Sequence, residues 1–263
     1  MATVAEILEY IESLAPSSMK EDWDNVGLNC GRMNQEVSKI LVALDPFAAV
    51  CQEAKDLGAD LLVTHHALIW NPGFLTDKDA QGRNTLFLIE NGIACINAHT
   101  NLDCAPGGVN DVLAAKLGLT NIEVISPSGV DAMGRPWGLL RAGAAEPQSL
   151  DSFLHFVQEA LHCPGLRYVS GGRPVRKVAV GGGSCAGAMI QAVGAGCDTF
   201  VTADVKYNQF WDAQELGLNL IDAGHFYTEN PVCEYLAEKL QQAFPLVTVN
   251  ISQNQADCMK FFP

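Results

Sequence analysis

Lys39-Ile-Leu-Val-Ala-Leu-Asp45 leads through a helical stretch to Gly58-Ala-Asp-Leu-Leu-Val-Thr64, and Lys177-Val-Ala-Val-Gly-Gly-Gly183 leads likewise to Gly196-Cys-Asp-Thr-Phe-Val-Thr202. One offset of 138 residues relates the pairs 39 and 177, 58 and 196, and 64 and 202. The match continues at an offset of 125 with Gly92-Ile-Ala-Cys-Ile-Asn-Ala98 and Gly217-Leu-Asn-Leu-Ile-Asp-Ala223, because the first half carries a longer loop, about Ala67 to Arg83. Each half reads strand, helix, strand, helix, strand. Short, continuously apolar strands bounded by glycine are the pattern of a sheet covered by helices on both faces. The sequence therefore predicts an α/β fold of two similar, pseudo-repeated lobes with mixed sheets flanked by helices. The lobes are expected over 1–125 and 126–263, packed as one compact unit with a functional cleft between them.

A chain of 263 residues that is 48% hydrophobic can bury a sizeable core. Sixteen Lys and Arg against thirty Asp and Glu give a net charge of −14, which argues against partnership with nucleic acid or anionic membrane. Small molecules and metals become the expected ligands. The N-terminus carries Glu6 and Glu9 where a secretory signal would be basic, and no apolar run reaches the length of a membrane span. The expected location is the cytoplasm. Nine cysteines, without a Cys-x-x-Cys pair, point to neither a disulfide framework nor a structural zinc site. The segment from Ser126 to Arg176 predicts a strand over Trp137 to Ala142 and a helix over Gln148 to Leu161, with Leu150, Phe153, Leu154, Val157 and Leu161 on one face. His155 and His162 fall on this helix or its end and read as exposed or terminal histidines.

In open α/β sheets ligands gather at the carboxyl ends of the strands. His65 and His66 end the second strand of the first half, and Ala203 and Asp204 hold the equivalent place in the second. Asp103, His225 and Glu229 follow the third strands. Adjacent histidines on a regular strand face opposite ways, so both can serve one cluster only where the strand breaks into a loop. His225 and Glu229 share a helical face if a helix starts near Gly224. Three imidazoles and two carboxylates suit Zn, Fe, Mn, Co or Ni. Five ligands exceed what one catalytic zinc takes and suit two divalent ions, with Asp103 or Glu229 as a bridge. The competing reading is a set of polar residues capping strand ends.

Around this set, His99 is a candidate catalytic proton shuttle or a structural hydrogen-bonding group. Lys206 meets a substrate phosphate or pairs with Asp204, and the pair is favoured. Asp24 and Asn25 read as local turn caps. Cys104, beside Asp103, is a weak further ligand candidate. Gly181-Gly-Gly-Ser-Cys-Ala-Gly187 follows a strand and precedes a helix as a phosphate cradle would, but lacks the lysine of a P-loop, so a tight turn explains most of it.

Glu21-Asp-Trp-Asp-Asn-Val-Gly-Leu-Asn-Cys-Gly31, the run from Gly58 to Trp70, Asn97-Ala-His-Thr-Asn-Leu-Asp103, Val201-Thr-Ala-Asp-Val-Lys-Tyr-Asn208 and Ile221-Asp-Ala-Gly-His-Phe-Tyr-Thr-Glu229 together resemble the GTP cyclohydrolase I type 2 homologues, the Nif-three-like dinuclear metal family. The resemblance covers nearly the whole chain in motif order. It implies two divalent metals held by His65, His66, Asp103, His225 and Glu229, and a ring-shaped homohexamer. This chain departs from the family pattern at Ala67, where proline is usual, and at Asn208, where histidine is usual. The second change removes an imidazole and puts a proton-transfer role there in doubt. The resemblance implies a metal-dependent hydrolase in which activated water attacks a nucleotide, at C8 of guanine in the GTP reading. The alternative is a non-catalytic metal-binding oligomer, a scaffold or a metal storage and delivery protein.

Overall fold

The computed structural model describes residues 2–71 and 73–260, which form two compact units. One unit comprises residues 2–105 and 232–256, the other residues 106–231 and 257–260.

The first unit is built on a five-stranded sheet in the order Thr248–Ile251, Lys39–Ala43, Leu61–Thr64, Ala94–Asn97, Gly27–Cys30. The first four strands run parallel and Gly27–Cys30 closes the edge antiparallel. Leu61–Thr64 and Ala94–Asn97 are buried along their whole length, as strands with helices on both faces must be. Helix Ala48–Leu57 ends at Gly58, which takes the left-handed conformation (φ 64°) and returns the chain to the next strand. The N-terminal helix Val4–Leu14 is fixed by reciprocal Thr3 and Glu6 capping.

The second unit has six strands in the order Arg167–Val169, Asn219–Asp222, Thr199–Thr202, Val175–Val180, Leu140–Gln148, Thr120–Ile125. Its three inner strands, Asn219–Asp222, Thr199–Thr202 and Val175–Val180, are parallel, and antiparallel strands flank them on either side. Strand alternation divides the apolar residues between two cores. Val178, Val180, Val201 and Ile221 face helix Leu150–Leu161, while Ala179, Phe200 and Leu220 pack on the opposite side with Met189 and Ala192. The chain is thus a mixed α/β protein with sheets flanked by helices.

Local expectations meet the structure unevenly. Helix Leu150–Leu161 starts behind the Ser149 cap and buries Phe153, Leu154, Val157 and Leu161, with His155 exposed and His162 as its left-handed cap. The strand expected at Trp137 to Ala142 is interrupted by Gly138 and instead runs on from Leu140 to Gln148. The long loop of the first half ends earlier than expected, because Asp79 caps a helix over Ala80–Glu90 that absorbs Ala80 to Arg83. Thr120–Ile125, assigned to the first lobe from sequence, pairs with Leu140–Gln148 in the second sheet. Thr248–Ile251, assigned to the second, pairs with Lys39–Ala43 in the first. Backbone pairing at sheet edges overrides position along the chain.

One buried charge holds the second sheet to a helix that matters for the site. The Arg141 side chain is fully buried and grips both Asp111 oxygens, each at 2.9 Å, while donating to the Gly138 carbonyl at 2.7 Å. A bidentate guanidinium–carboxylate pair fixes orientation as well as distance. It seats helix Val109–Lys116, which carries Asn110. No disulfide joins any of the nine cysteines, and among the described residues no helix is long and apolar enough to cross a membrane.

Candidate metal centre

Strand Leu61–Thr64 stops one residue short of the histidine pair. The Thr64 hydroxyl donates to the His66 carbonyl at 2.7 Å and bends the chain there, so the two imidazoles are freed from strand alternation. Their ring centroids lie 5.0 Å apart, and both approach His99, at 5.1 and 5.5 Å. His65, His66 and His99 each present a ring nitrogen within 4.8 Å of the others. Asp103 joins them, its Oδ1 3.6 Å from His65 Nε2. It sits on the short helix Thr100–Cys104, whose first turn closes with the Asp103 amide donating to the His99 carbonyl.

Each of these imidazoles is gripped at Nδ1 by a group that can only accept. His65 Nδ1 donates to the Ala98 carbonyl at 2.9 Å, His66 Nδ1 to Asp45 at 2.6 Å, and His99 Nδ1 to Asp24 at 2.9 Å. A neutral imidazole has one donor and one acceptor nitrogen, so these partners place the proton on Nδ1 and the lone pair on Nε2. The His65 side chain is wholly buried.

The second unit supplies a parallel arrangement. Gly224, at φ 84°, starts the helix His225–Glu229, and the four-residue spacing brings His225 Nε2 to 2.9 Å from Glu229 Oε2. His225 Nδ1 donates to Asp204 at 2.8 Å. Asp204 holds a left-handed backbone (φ 52°) just after strand Thr199–Thr202. The sequence reading favoured a Lys206 partner for that carboxylate; it serves the imidazole instead.

The glycine run has a different use from the phosphate cradle considered above. A Cβ on Gly183 would stand 2.1 Å from Glu229 Oε1 and 3.1 Å from His225 Cε1, and one on Gly182 would press Glu229 Cγ at 3.2 Å. The amides that would face a phosphate are engaged: Gly182 N–H donates to Asn110 Oδ1 at 2.7 Å and Gly183 N–H to Thr228 Oγ1 at 3.0 Å. Glycine here makes room for a buried carboxylate.

Asp24 was read from sequence as a local turn cap. It does cap the Asn25 amide, but the carboxylate is buried and its other oxygen accepts from His99 Nδ1 and from both the amide and hydroxyl of Thr100. Burial alone would raise the Asp24 pKa; the bonds from His99 and Thr100 overcome it and hold the carboxyl well below the usual carboxylate range. Asn25 reaches across to the Ile69 carbonyl. Cys104 is buried on the Asp103 helix and belongs to none of the ligand-competent groups among the described residues.

Imidazoles fixed at Nδ1, with carboxylates beside Nε2 of His65 and His225, define a mixed α/β protein whose strand ends can hold a metal ion. The model of the Duf34/NIF3 family (NGG1p interacting factor 3) matches residues 2–257, and the chain belongs to that family. A Clostridium perfringens protein named GTP cyclohydrolase 1 type 2 homolog is 35% identical over 242 residues, 90% of each chain. A Streptomyces coelicolor protein of the same name is 37% identical over 248 residues, covering 92% of this chain and 87% of its own. Among solved structures, a Bacillus cereus protein related to NIF3 superposes with a TM-score of 0.93 at 27% identity, covering 100% of this chain and 99% of its own.

The Asp24 carboxylate yields a pH prediction. A carboxyl held low in the folded chain adds stability that is complete above the unfolded carboxyl pKa, about 3.9, and is lost as pH falls toward the folded value. In urea unfolding, Asp24→Asn should therefore be less stable than the parent by a gap that is constant above about pH 5 and narrows below about pH 4. A gap that stays flat or widens on acidification contradicts the assignment.

Proposed function

We propose that this chain is a cytoplasmic, dinuclear metal-dependent hydrolase acting on a nucleotide or related substrate. His65, His66, Asp103, His225 and Glu229 are its metal ligands and His99 its proton-moving group. The observation that carries the reading is the Nδ1 anchoring. Every imidazole assigned to the metals has its tautomer set by a carbonyl or carboxylate, which directs the lone pair of Nε2 away from that partner. A histidine that merely satisfied a strand end would not require its carboxylate neighbour to face Nε2, as Asp103 faces His65 and Glu229 faces His225.

The mixed nitrogen and oxygen donor set fits Zn, Fe, Mn, Co or Ni. When bound, two such ions polarise a substrate oxygen and acidify water. The protein's own residues do the rest. Asp45, Asp204 and the Ala98 carbonyl hold the imidazoles in register, and Gly182 and Gly183 leave space for Glu229. His99, oriented by an ionised Asp24, accepts a proton at Nε2 and stabilises it through the same hydrogen bond. The names of the relatives support a nucleotide substrate. The proposal includes assembly into a homohexamer on the strength of the family resemblance; sedimentation as a monomer contradicts that part.

Protein loaded with Zn, Mn or Fe and then dialysed should retain about two ions per chain, as expected of two-metal sites. His65→Ala and Glu229→Ala should each lose metal, and unchanged content in both variants contradicts the ligand assignment. Formate release from GTP and phosphate release from a phosphoester panel test the chemistry. His99→Ala should lower kcat by roughly 10²- to 10⁴-fold while keeping its metal. Metal binding without turnover of any substrate makes the chain a metal-binding scaffold.

A further inference from the structure

Two tryptophans stand against His99 in the first unit. Trp70 meets the imidazole edge-on, with centroids 4.9 Å apart and planes at 88°, and Trp23 meets it at 5.9 Å and 69°. Trp70 also lies 6.1 Å from the His66 ring. Despite these contacts Trp23 is 65% exposed and Trp70 45% exposed. An indole normally buries most of its 150–250 Å², so two left open on one ligand-competent histidine are not scattered surface residues.

Neither indole is on a loose loop. The Asn29 side-chain oxygen accepts from the Leu68 and Ile69 amides at 2.9 and 3.1 Å, Gln81 accepts from the Trp70 amide at 2.8 Å, and Asn25 donates to the Ile69 carbonyl at 2.6 Å. Around Trp23, the Glu21 amide donates to Thr100 Oγ1 at 2.9 Å, and Lys20 Nζ donates to the Asp24 carbonyl at 2.7 Å. These bonds fix the backbone beneath both rings while leaving the rings open, which is what a preorganised aromatic platform requires.

We infer that Trp23 and Trp70 form a stacking subsite for a planar heteroaromatic group of the nucleobase class, beside His99. This deepens the nucleotide reading and rests on it. Recognition falls on the ring system and not on phosphate, because Lys20, the cation in this turn, is held to the Glu21 and Asp24 carbonyls by two of its three donors and the nearby side chains are the carboxylates Asp24, Asp45 and Asp103. An organic cation is disfavoured, since Asp24 and Asp45 direct their charge to imidazole N–H groups.

The test is binding, separate from turnover, on the full-length protein by calorimetry and tryptophan fluorescence. The probes are GMP, guanosine, ribose 5-phosphate and tetramethylammonium. GMP and guanosine should bind, tetramethylammonium should not, and any ribose 5-phosphate bound at the metals should be insensitive to the tryptophan variants. Trp23→Leu and Trp70→Leu should each weaken GMP by roughly tenfold, whereas Trp23→Phe and Trp70→Phe should recover most of the loss. Metal content and melting temperature should match the parent throughout, which separates a stacking role from a structural one. GMP binding that is indifferent to both leucine variants overturns the subsite and leaves the nucleotide reading intact. Binding of tetramethylammonium in preference to guanosine, or of no probe, overturns both, and binding of ribose 5-phosphate and GMP without guanosine overturns the subsite alone, while metal retention still reports on the ligands.

Discussion

A neutral imidazole cannot choose which nitrogen it offers; the group that accepts its proton chooses for it. Around His65, His66, His99 and His225 that group is always an acceptor fixed by the fold: the Ala98 carbonyl, Asp45, Asp24 and Asp204. Three of these acceptors follow directly from strand ends. Asp45 lies beyond Lys39–Ala43, Ala98 beyond Ala94–Asn97, and Asp204 beyond Thr199–Thr202. Parallel strands in register deliver their following residues to the same edge, which is why residues far apart in sequence can orient a neighbouring strand's histidine. Were the register to slip by one, each acceptor would shift by a residue against the neighbouring strand's histidine and the slipped strand's side chains would move to the opposite face of the sheet, so these pairs would be lost.

Much of this was legible in the sequence. Continuous apolar runs such as Leu61–Thr64 announced covered strands, and the break after Thr64 accounted for two adjacent histidines serving one group. The spacing of His225 and Glu229 read correctly as one helical face because Gly224 ends the preceding loop. What was not legible depends on long-range contact. Nothing local marks Asp24 as the partner of His99, 75 residues away; a turn cap was the reasonable reading of a short aspartate beside asparagine. Asp204 likewise looked like a partner for Lys206 until the His225 helix was seen to reach it. The edge strands were misassigned for a related reason, since Thr120–Ile125 and Thr248–Ile251 find their partners by pairing and not by order.

The glycine run shows how one sequence signal can serve two physical purposes. A strand, glycines and a helix suggest an anion at free amides. Here the same small residues keep Cβ atoms away from Glu229, and Asn110 and Thr228 occupy the amides. Arg141 belongs to this account because its grip on Asp111 fixes the helix bearing Asn110. A buried charge in the sheet thus contributes to holding a carboxylate at the site, a connection invisible from spacing.

The most direct measurement of the central claim is a crystal structure of metal-loaded protein with anomalous diffraction collected at the metal edge. The anchoring account predicts metal bonded to Nε2 of His65, His66 and His225, at about 2.0–2.1 Å if the ion is zinc, with the three Nδ1 contacts to Ala98, Asp45 and Asp204 kept. Coordination through Nδ1, with those contacts broken, or anomalous peaks remote from these residues, would contradict it.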